Sequence, residues 1–361
     1  MEIGIVGLPL SGKTTLFNLL THAGAETGFG AGKKKANLGV SRVPDPRLDR
    51  LSEMWSPKKT TPATIRYVDV AGVERSAGKE GLSAETLTHL KNTDALLAVV
   101  RAFEDEQVPH VEGTLDPLRD LSMLQSEFLL SDLIIVENRL ERLEKQIKTK
   151  GGKELEAEHV LLTRCREALE AETPLRESEF SAEEARLLKG FQFLTQKPLV
   201  VALNLGEADI PRASELLAPL AARWGTAHVA ATYLCATVEQ EISELSAEDA
   251  RAFLDDLGID TSATDRIIRT SYELLGLISF FTMGEDECRA WTIRRGTKAP
   301  QAAGTIHTDL ERGFIRAEVV RYDDFVAAGS LPACRDKGLL RLEGKEYVVH
   351  DGDVLNIRFS V

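Results

Sequence analysis

A doubly wound, mostly parallel α/β sheet, with an inserted antiparallel helical hairpin and a small mixed-β domain after it, is the fold class that this 361-residue sequence predicts. Three observations carry that expectation. Continuous apolar runs at residues 3–7, 95–100 and 198–203 have the length and composition of parallel strands buried on both faces. The stretch 123–194 is rich in Glu, Arg, Lys and Leu, nearly free of proline, and repeats apolar residues at helical steps. Beyond residue 277, strand-like segments alternate with Gly and Asp-Gly turns.

The first run leads directly into Gly7-Leu8-Pro9-Leu10-Ser11-Gly12-Lys13-Thr14, and Thr15-Leu16-Phe17-Asn18-Leu19-Leu20 then reads as a helix. G-x-x-x-x-G-K-T between a strand and a helix is a phosphate loop: backbone N–H groups wrap a β-phosphate, Lys13 reaches the β/γ oxygens, and the Thr14 hydroxyl coordinates Mg²⁺. The helix dipole faces the same anion. Leu10, Ser11, Gly12, Lys13, Thr14 and Thr15 are therefore the candidate phosphate-binding residues.

A Gly- and Lys-rich stretch at 28–35 lacks any period and reads as a loop. Residues 64–70 alternate into a strand ending in Asp69-Val70-Ala71-Gly72, where Asp69 is placed to hold Mg²⁺ through water and Gly72 to meet the nucleotide. In the insertion, Leu133, Val136, Leu140, Leu143 and Ile147 recur at steps of three and four. Leu155, Leu161, Leu162 and Leu169 mark a second helix after Gly151-Gly152, which predicts an antiparallel hairpin with a solvated charged face. Strands are expected at 288–294, 313–319 and 353–359, and Phe280 and Phe281 are expected to pack in the core or between domains.

Composition bounds the function. No apolar run approaches the ~20 residues that span a membrane, and the N-terminus lacks a basic segment followed by an apolar signal core, so a cytoplasmic protein is expected. Cys165, Cys235, Cys288 and Cys334 form no CxxC pair and read as free thiols. A net charge of −13 disfavours general nucleic-acid binding, and no DNA partner is expected, although a local basic patch can still meet RNA.

These elements together resemble the YchF/Obg-like ATPase family of P-loop GTPase relatives, over nearly the whole chain. The resemblance rests on GLPLSGKTTLFNLLT at the start, VPDPRLDRL at 43–51, DVAG at 69–72 and RAFEDEQVPHVEGTLDPLRD at 101–120. AWTIRRGTKAPQAAGTIHTD at 290–309 and DGDVLNIRFSV at 351–361 are similar to that family's C-terminal TGS domain, and the insertion to its coiled coil. The expected organisation is a nucleotide-binding domain at 1–122 and 195–276, a helical insertion at 123–194, and a TGS-like domain at 277–361. The resemblance implies ATP and Mg²⁺ as ligands, slow hydrolysis, and a ribosome or ribosomal RNA partner met through the helical arm and the TGS-like domain.

The base-reading element supports ATP. Ordinary GTPases use N-K-x-D, whose aspartate accepts from guanine N1–H and the 2-amino group; this chain has Asn204-Leu205-Gly206-Glu207. Glu207 is a methylene longer, Leu205 removes the lysine that packs on the base, and a misplaced fork leaves a buried polar edge unpaired. Adenine can offer its 6-amino group to Asn204, and the family's N-x-x-E points the same way. Cys235-Ala236-Thr237 with Glu239 resembles the loop that closes over the base.

For hydrolysis, Val73 stands where GTPases carry the water-orienting glutamine, as in the family, and His110 matches the histidine proposed for that task. A neutral imidazole can orient or polarise a water. One departure concerns the first switch, where the family's Mg²⁺-binding threonine is missing and Lys33 falls near its position. Two alternatives therefore stay open beside the ATPase: a GTPase, and a nucleotide-responsive interaction protein with little hydrolysis. In the last domain, Arg289, Trp291 and Arg295 alternate and are expected on one strand face, able to meet RNA.

Overall fold

Strands made of uninterrupted apolar residues need cover on both faces, and the computed structural model places them in the middle of a parallel sheet. It describes residues 1–23, 37–70 and 82–360. The chain divides into two compact units, Met1–Val40 with Arg66–Ile267, and Ser41–Ile65 with Ile268–Val361.

In the first unit, β1 (Glu2–Val6) leads into helix α1 (Lys13–Thr21), followed by strand β2 (Asn37–Arg42). Helix α2 (Pro46–Trp55) and strand β3 (Lys59–Thr61) belong to the second unit. The first sheet continues with β4 (Thr64–Asp69), helix α3 (Ala84–Lys91), β5 (Ala95–Ala102), β6 (Leu199–Leu205) and β7 (Val229–Leu234), in the order β2-β4-β1-β5-β6-β7. The pairs from β4 through β7 are all parallel. Every residue of β5 and β6 is buried. Strand order reverses around β1, so the carboxyl ends of β1, β4, β6 and β7 open on one edge, the crevice where such sheets bind ligands.

The insertion is a hairpin of α4 (Pro117–Lys150) and α5 (Lys153–Glu170). It starts at Pro117, earlier than expected, because Asp116 caps the helix by accepting from Arg119 N–H and Pro117 fills its first turn. Gly151 and Gly152 make the reversal with φ of 62° and 133°, values that side chains resist. Val136, Leu140 and Leu143 bury against Leu161, Leu162, Cys165 and Leu169. Arg139 crosses the hairpin to Glu158 with two bonds of 2.7 Å. At its base, buried Asp132 accepts from Leu194 N–H at 3.0 Å and from Thr195 N–H and Oγ1 at 2.7 Å each.

The second unit carries a mixed sheet of β8 (Leu277–Met283), β9 (Glu287–Arg294), β10 (Phe314–Arg321), β11 (Arg341–Glu343) and β12 (Asp353–Phe359), ordered β11-β10-β12-β8-β9-β3. Segment 41–65, which the sequence reading placed in the nucleotide-binding domain, belongs here instead. Its strand β3 pairs parallel with β9, Lys59 opposite Glu287 and Thr61 opposite Arg289. Ion pairs Lys58–Asp286 (2.7 Å) and Arg47–Asp351 (2.9 Å) reinforce that choice. Phe280 and Phe281 are fully buried, as expected of core residues.

Of the expected arginine-lined face, Arg289 and Trp291 lie together and Arg295 falls outside the strand. Arg289 lies over the Trp291 ring at 3.9 Å, the Trp291 indole N–H donates to Thr282 Oγ1 at 2.9 Å, and Phe280 stacks beside the ring. Arg295 follows the last residue of β9, so strand alternation no longer governs it. Arg289 and Phe280 flank the half-buried ring.

All four cysteines are buried free thiols, and burial pushes Cys165 up to about 11. No helix among the described residues is long and apolar enough to cross a membrane.

Candidate functional site

A phosphate loop needs backbone where side chains cannot go. A Cβ on Gly7 would lie 2.8 Å from Ser11 Oγ and clash with the Val99 carbonyl; one on Gly12 would clash with Asn204 Nδ2. Gly12 also takes φ of 96°, and Leu10 a left-handed φ of 64°, which together turn the loop. Helix α1 starts at Lys13 with no side-chain cap and no acidic residue in its first turn. Its first N–H groups and its dipole are thus left for an anion.

Lys13 is buried, and its ammonium donates to Leu8 O at 2.7 Å. Burial lowers its pKa to about 8, and the nearby Asp69 carboxylate offsets part of that shift. Thr14 Oγ1 donates to Asp69 Oδ2 at 2.9 Å, bringing the two candidate metal ligands together from α1 and the end of β4. Asp69 is 4% exposed, and its Oδ1 is buried without a hydrogen-bond partner among the described residues. An orphaned carboxylate oxygen beside a hydroxyl fits a hard cation with oxygen ligands. Ser11 Oγ is likewise buried without a partner, and Thr15 follows in the first turn of α1. Gly72 and Val73, together with the loop at 28–35 that holds Lys33, lie outside the described residues.

The base-side residues divide into three roles. Asn204, at the end of β6 and 2% exposed, donates through Nδ2 to Ser11 O at 3.1 Å and accepts Ala236 N–H on Oδ1 at 3.2 Å. It was expected to meet the base directly, and here it ties the phosphate loop to the Cys235–Thr237 loop. Leu205 is 2% exposed and its side chain packs in the apolar core. Glu207 is exposed at the start of the turn Glu207–Arg212 and has no partner among the described residues. Glu239 is taken up elsewhere: it accepts from Ala263 N–H at 2.6 Å and from Thr264 N–H and Oγ1 at 3.1 and 3.0 Å. It caps the helix Ala263–Leu274 and is not free to close over a base.

His110 is held by two bonds. Glu112 N–H donates to Nδ1 at 3.1 Å, so the ring proton sits on Nε2, which donates to Asp120 Oδ2 at 2.8 Å. Arg119 grips the other Asp120 oxygen at 2.7 and 3.0 Å. Both ring nitrogens are spent in this arrangement, so orienting a water requires release from Asp120 or Glu112.

Sequence reasoning missed Arg101, the last charged residue on the apolar strand β5. It is 4% exposed, donates to Phe103 O at 3.0 Å and Val108 O at 2.7 Å, and lies over the Phe103 ring. It anchors the loop that carries His110. The available signal was an arginine ending an otherwise apolar run, since a buried guanidinium is costly unless most of its donors find acceptors.

Lys13 supplies a pH test. Its ammonium is lost as pH rises through about 8, whereas a bound polyphosphate favours the charged form and raises that pKa. Nucleotide affinity should therefore fall about tenfold between pH 7 and 9, with close to one proton taken up on binding at pH 9. Calorimetry in two buffers of different ionisation enthalpy measures both; a pH-independent affinity would contradict the assignment.

Comparison with known proteins agrees with this geometry. Residues 277–360 match the family model YchF-GTPase_C, described as a protein of unknown function (DUF933), and residues 2–139 match the model described as 50S ribosome-binding GTPase. The Ribosome-binding ATPase YchF of Bacillus subtilis is 44% identical over 365 residues, covering 100% of both chains. That of Escherichia coli O157:H7 is 42% identical over 100% of this chain and 99% of its own, and the Obg-like ATPase 1 of Oryza sativa subsp. japonica 38% over 100% and 92%. The solved Schizosaccharomyces pombe YchF GTPase superposes with a TM-score of 0.87 at 34% identity, covering 99% of this chain and 97% of its own. With full-length relatives at this identity and family models matching both ends of the chain, this protein belongs to the YchF family.

Proposed function

We propose that this protein is a ribosome-associated P-loop ATPase, binding ATP at the phosphate loop and hydrolysing it slowly. The observation that carries the nucleotide choice is the end of β6, where Leu205 is buried and Glu207 stands exposed in place of the guanine-reading pair. A guanine edge would find no preorganised carboxylate fork there, while Asn204 keeps a second amide hydrogen and lone pair. Leu10 to Thr15 and Gly72 are assigned to the phosphates, and Asn204, Leu205 and Glu207 to the base side.

The residues present fit Mg²⁺, which would be held by Thr14 directly and by Asp69 through water. Bound there, the ion would neutralise charge on the β- and γ-phosphates. Lys13 neutralises the same oxygens from the loop, and the uncapped end of α1 orients them. His110, once freed from Asp120, is the group assigned to position the attacking water. The names of the relatives support the ribosome as partner and, with no membrane-crossing helix among the described residues, a cytoplasmic setting. The hairpin tip supports an RNA contact: Lys148, Lys150 and Lys153 are exposed around Gly151-Gly152 and have no ion-pair partner among the described residues.

Calorimetric titration should show ATP binding tighter than GTP, and the reverse order would restore the GTPase reading. His110→Ala should leave ATP affinity within a few-fold and slow single-turnover hydrolysis by ~10²-fold, the scale for a water-orienting group. Equal rates would remove His110 from the reaction. Replacing Lys148, Lys150 and Lys153 with glutamate should weaken co-sedimentation with ribosomes and lower its salt slope by about 2 to 3; an unchanged slope would place the contact elsewhere.

A further inference from the structure

Arg269, on the helix Ala263–Leu274, has a buried Nε with no hydrogen-bond partner. Its side chain lines a half-open cavity of about 460 Å³ that lies within the second unit and is also walled by Arg47, Tyr272, Glu273, Arg295 and Asp351. Much of that polar wall is already engaged. Arg47 donates to Asp45 at 2.9 and 2.8 Å and to Asp351 at 2.9 Å, so one guanidinium serves two carboxylates. Asp351 also accepts Ser279 N–H at 2.9 Å. The Tyr272 hydroxyl is held by Ile278 O, Ser279 Oγ and Thr292 Oγ1 at 3.1, 3.0 and 3.1 Å.

Three groups are left over. The guanidiniums of Arg269 and Arg295 and the carboxylate of Glu273 make no ion pair or side-chain hydrogen bond among the described residues. The unpaired guanidiniums of Arg269 and Arg295 on the cavity wall leave donors that an entering anion can use.

We infer that this cavity binds a phosphate monoester with hydroxyl groups on its alcohol part, at a site separate from the phosphate loop. A phosphate monoester offers three terminal oxygens, enough for both guanidiniums, and arginine's planar fork matches it. Glu273 then accepts from hydroxyls on the ester's other end. The charged wall holds three arginines against three carboxylates, Asp45 included, which suits a small ligand with one anionic end better than a long polyanion. The volume lies in the range of small-molecule sites.

Ribose 5-phosphate, titrated into the full chain by calorimetry, is the probe. Arg295→Gln, a change at an exposed residue beyond β9, should weaken it about tenfold, and adding Arg269→Gln should weaken it further. ATP affinity should be unchanged in both variants, and Lys13→Ala should not affect ribose 5-phosphate binding. Absent binding in the parent, equal binding in folded Arg295→Gln and double variants, or loss in Lys13→Ala would each overturn the proposal. A 5′-phosphorylated RNA oligonucleotide separates the sources: binding well above that of ribose 5-phosphate and of the 5′-hydroxyl oligonucleotide assigns the site to an RNA end. Equal or weaker binding assigns it to a free metabolite, and either result supports a monoester site.

Discussion

The backbone of Gly12 lies against the carboxamide of Asn204, with no room for a Cβ between them. Much of the nucleotide site depends on this contact. Asn204 donates to Ser11 O through the same Nδ2 and accepts Ala236 N–H on Oδ1, so one buried side chain couples the phosphate loop to the loop beyond β7. A side chain at position 12 would separate the two loops and also oppose the left-handed turn that starts α1. The G-x-x-x-x-G-K-T spacing therefore reflects tertiary packing as well as affinity for phosphate.

Burying charge around this site has a cost that specific partners offset. Burial lowers the Lys13 ammonium to about 8 even against the opposing pull of Asp69, and an incoming anion restores its charged form. Arg101 is buried at the end of β5 and directs its Nε and Nη2 donors to the loop leading to His110. His110 is in turn clamped by Asp120, which Arg119 holds from α4. The element expected to act on water is thus tied to the first turn of the helical arm, and a movement of that helix and release of the imidazole are mechanically linked.

In the second unit, a stretch that precedes the Asp69 strand in sequence contributes a helix and an edge strand to a sheet formed mostly by the last 85 residues. Parallel pairing of β3 with β9 satisfies backbone groups that a short polar strand could not satisfy alone. Arg47 uses the same arrangement to neutralise Asp45 and Asp351, and this leaves Arg269 and Arg295 as the unengaged cations of the cavity.

The sequence by itself determined the parallel sheet, the phosphate loop, the helical hairpin and its Gly-Gly reversal, because each follows from local periodicity, length or a φ that only glycine accepts readily. It also paired Thr14 with Asp69 through the known logic of strand ends. Tertiary structure decided what depends on residues far apart in the chain. Segment 41–65 joined the second unit through hydrogen bonds to a strand more than 200 positions away, which no local pattern encodes. Asn204 became a tie, Glu239 a cap and Trp291 a flanked ring because each buried or half-buried polar group took the partner that packing brought nearest. Residue type limits which bonds a side chain can make, and the fold's long-range contacts select among them.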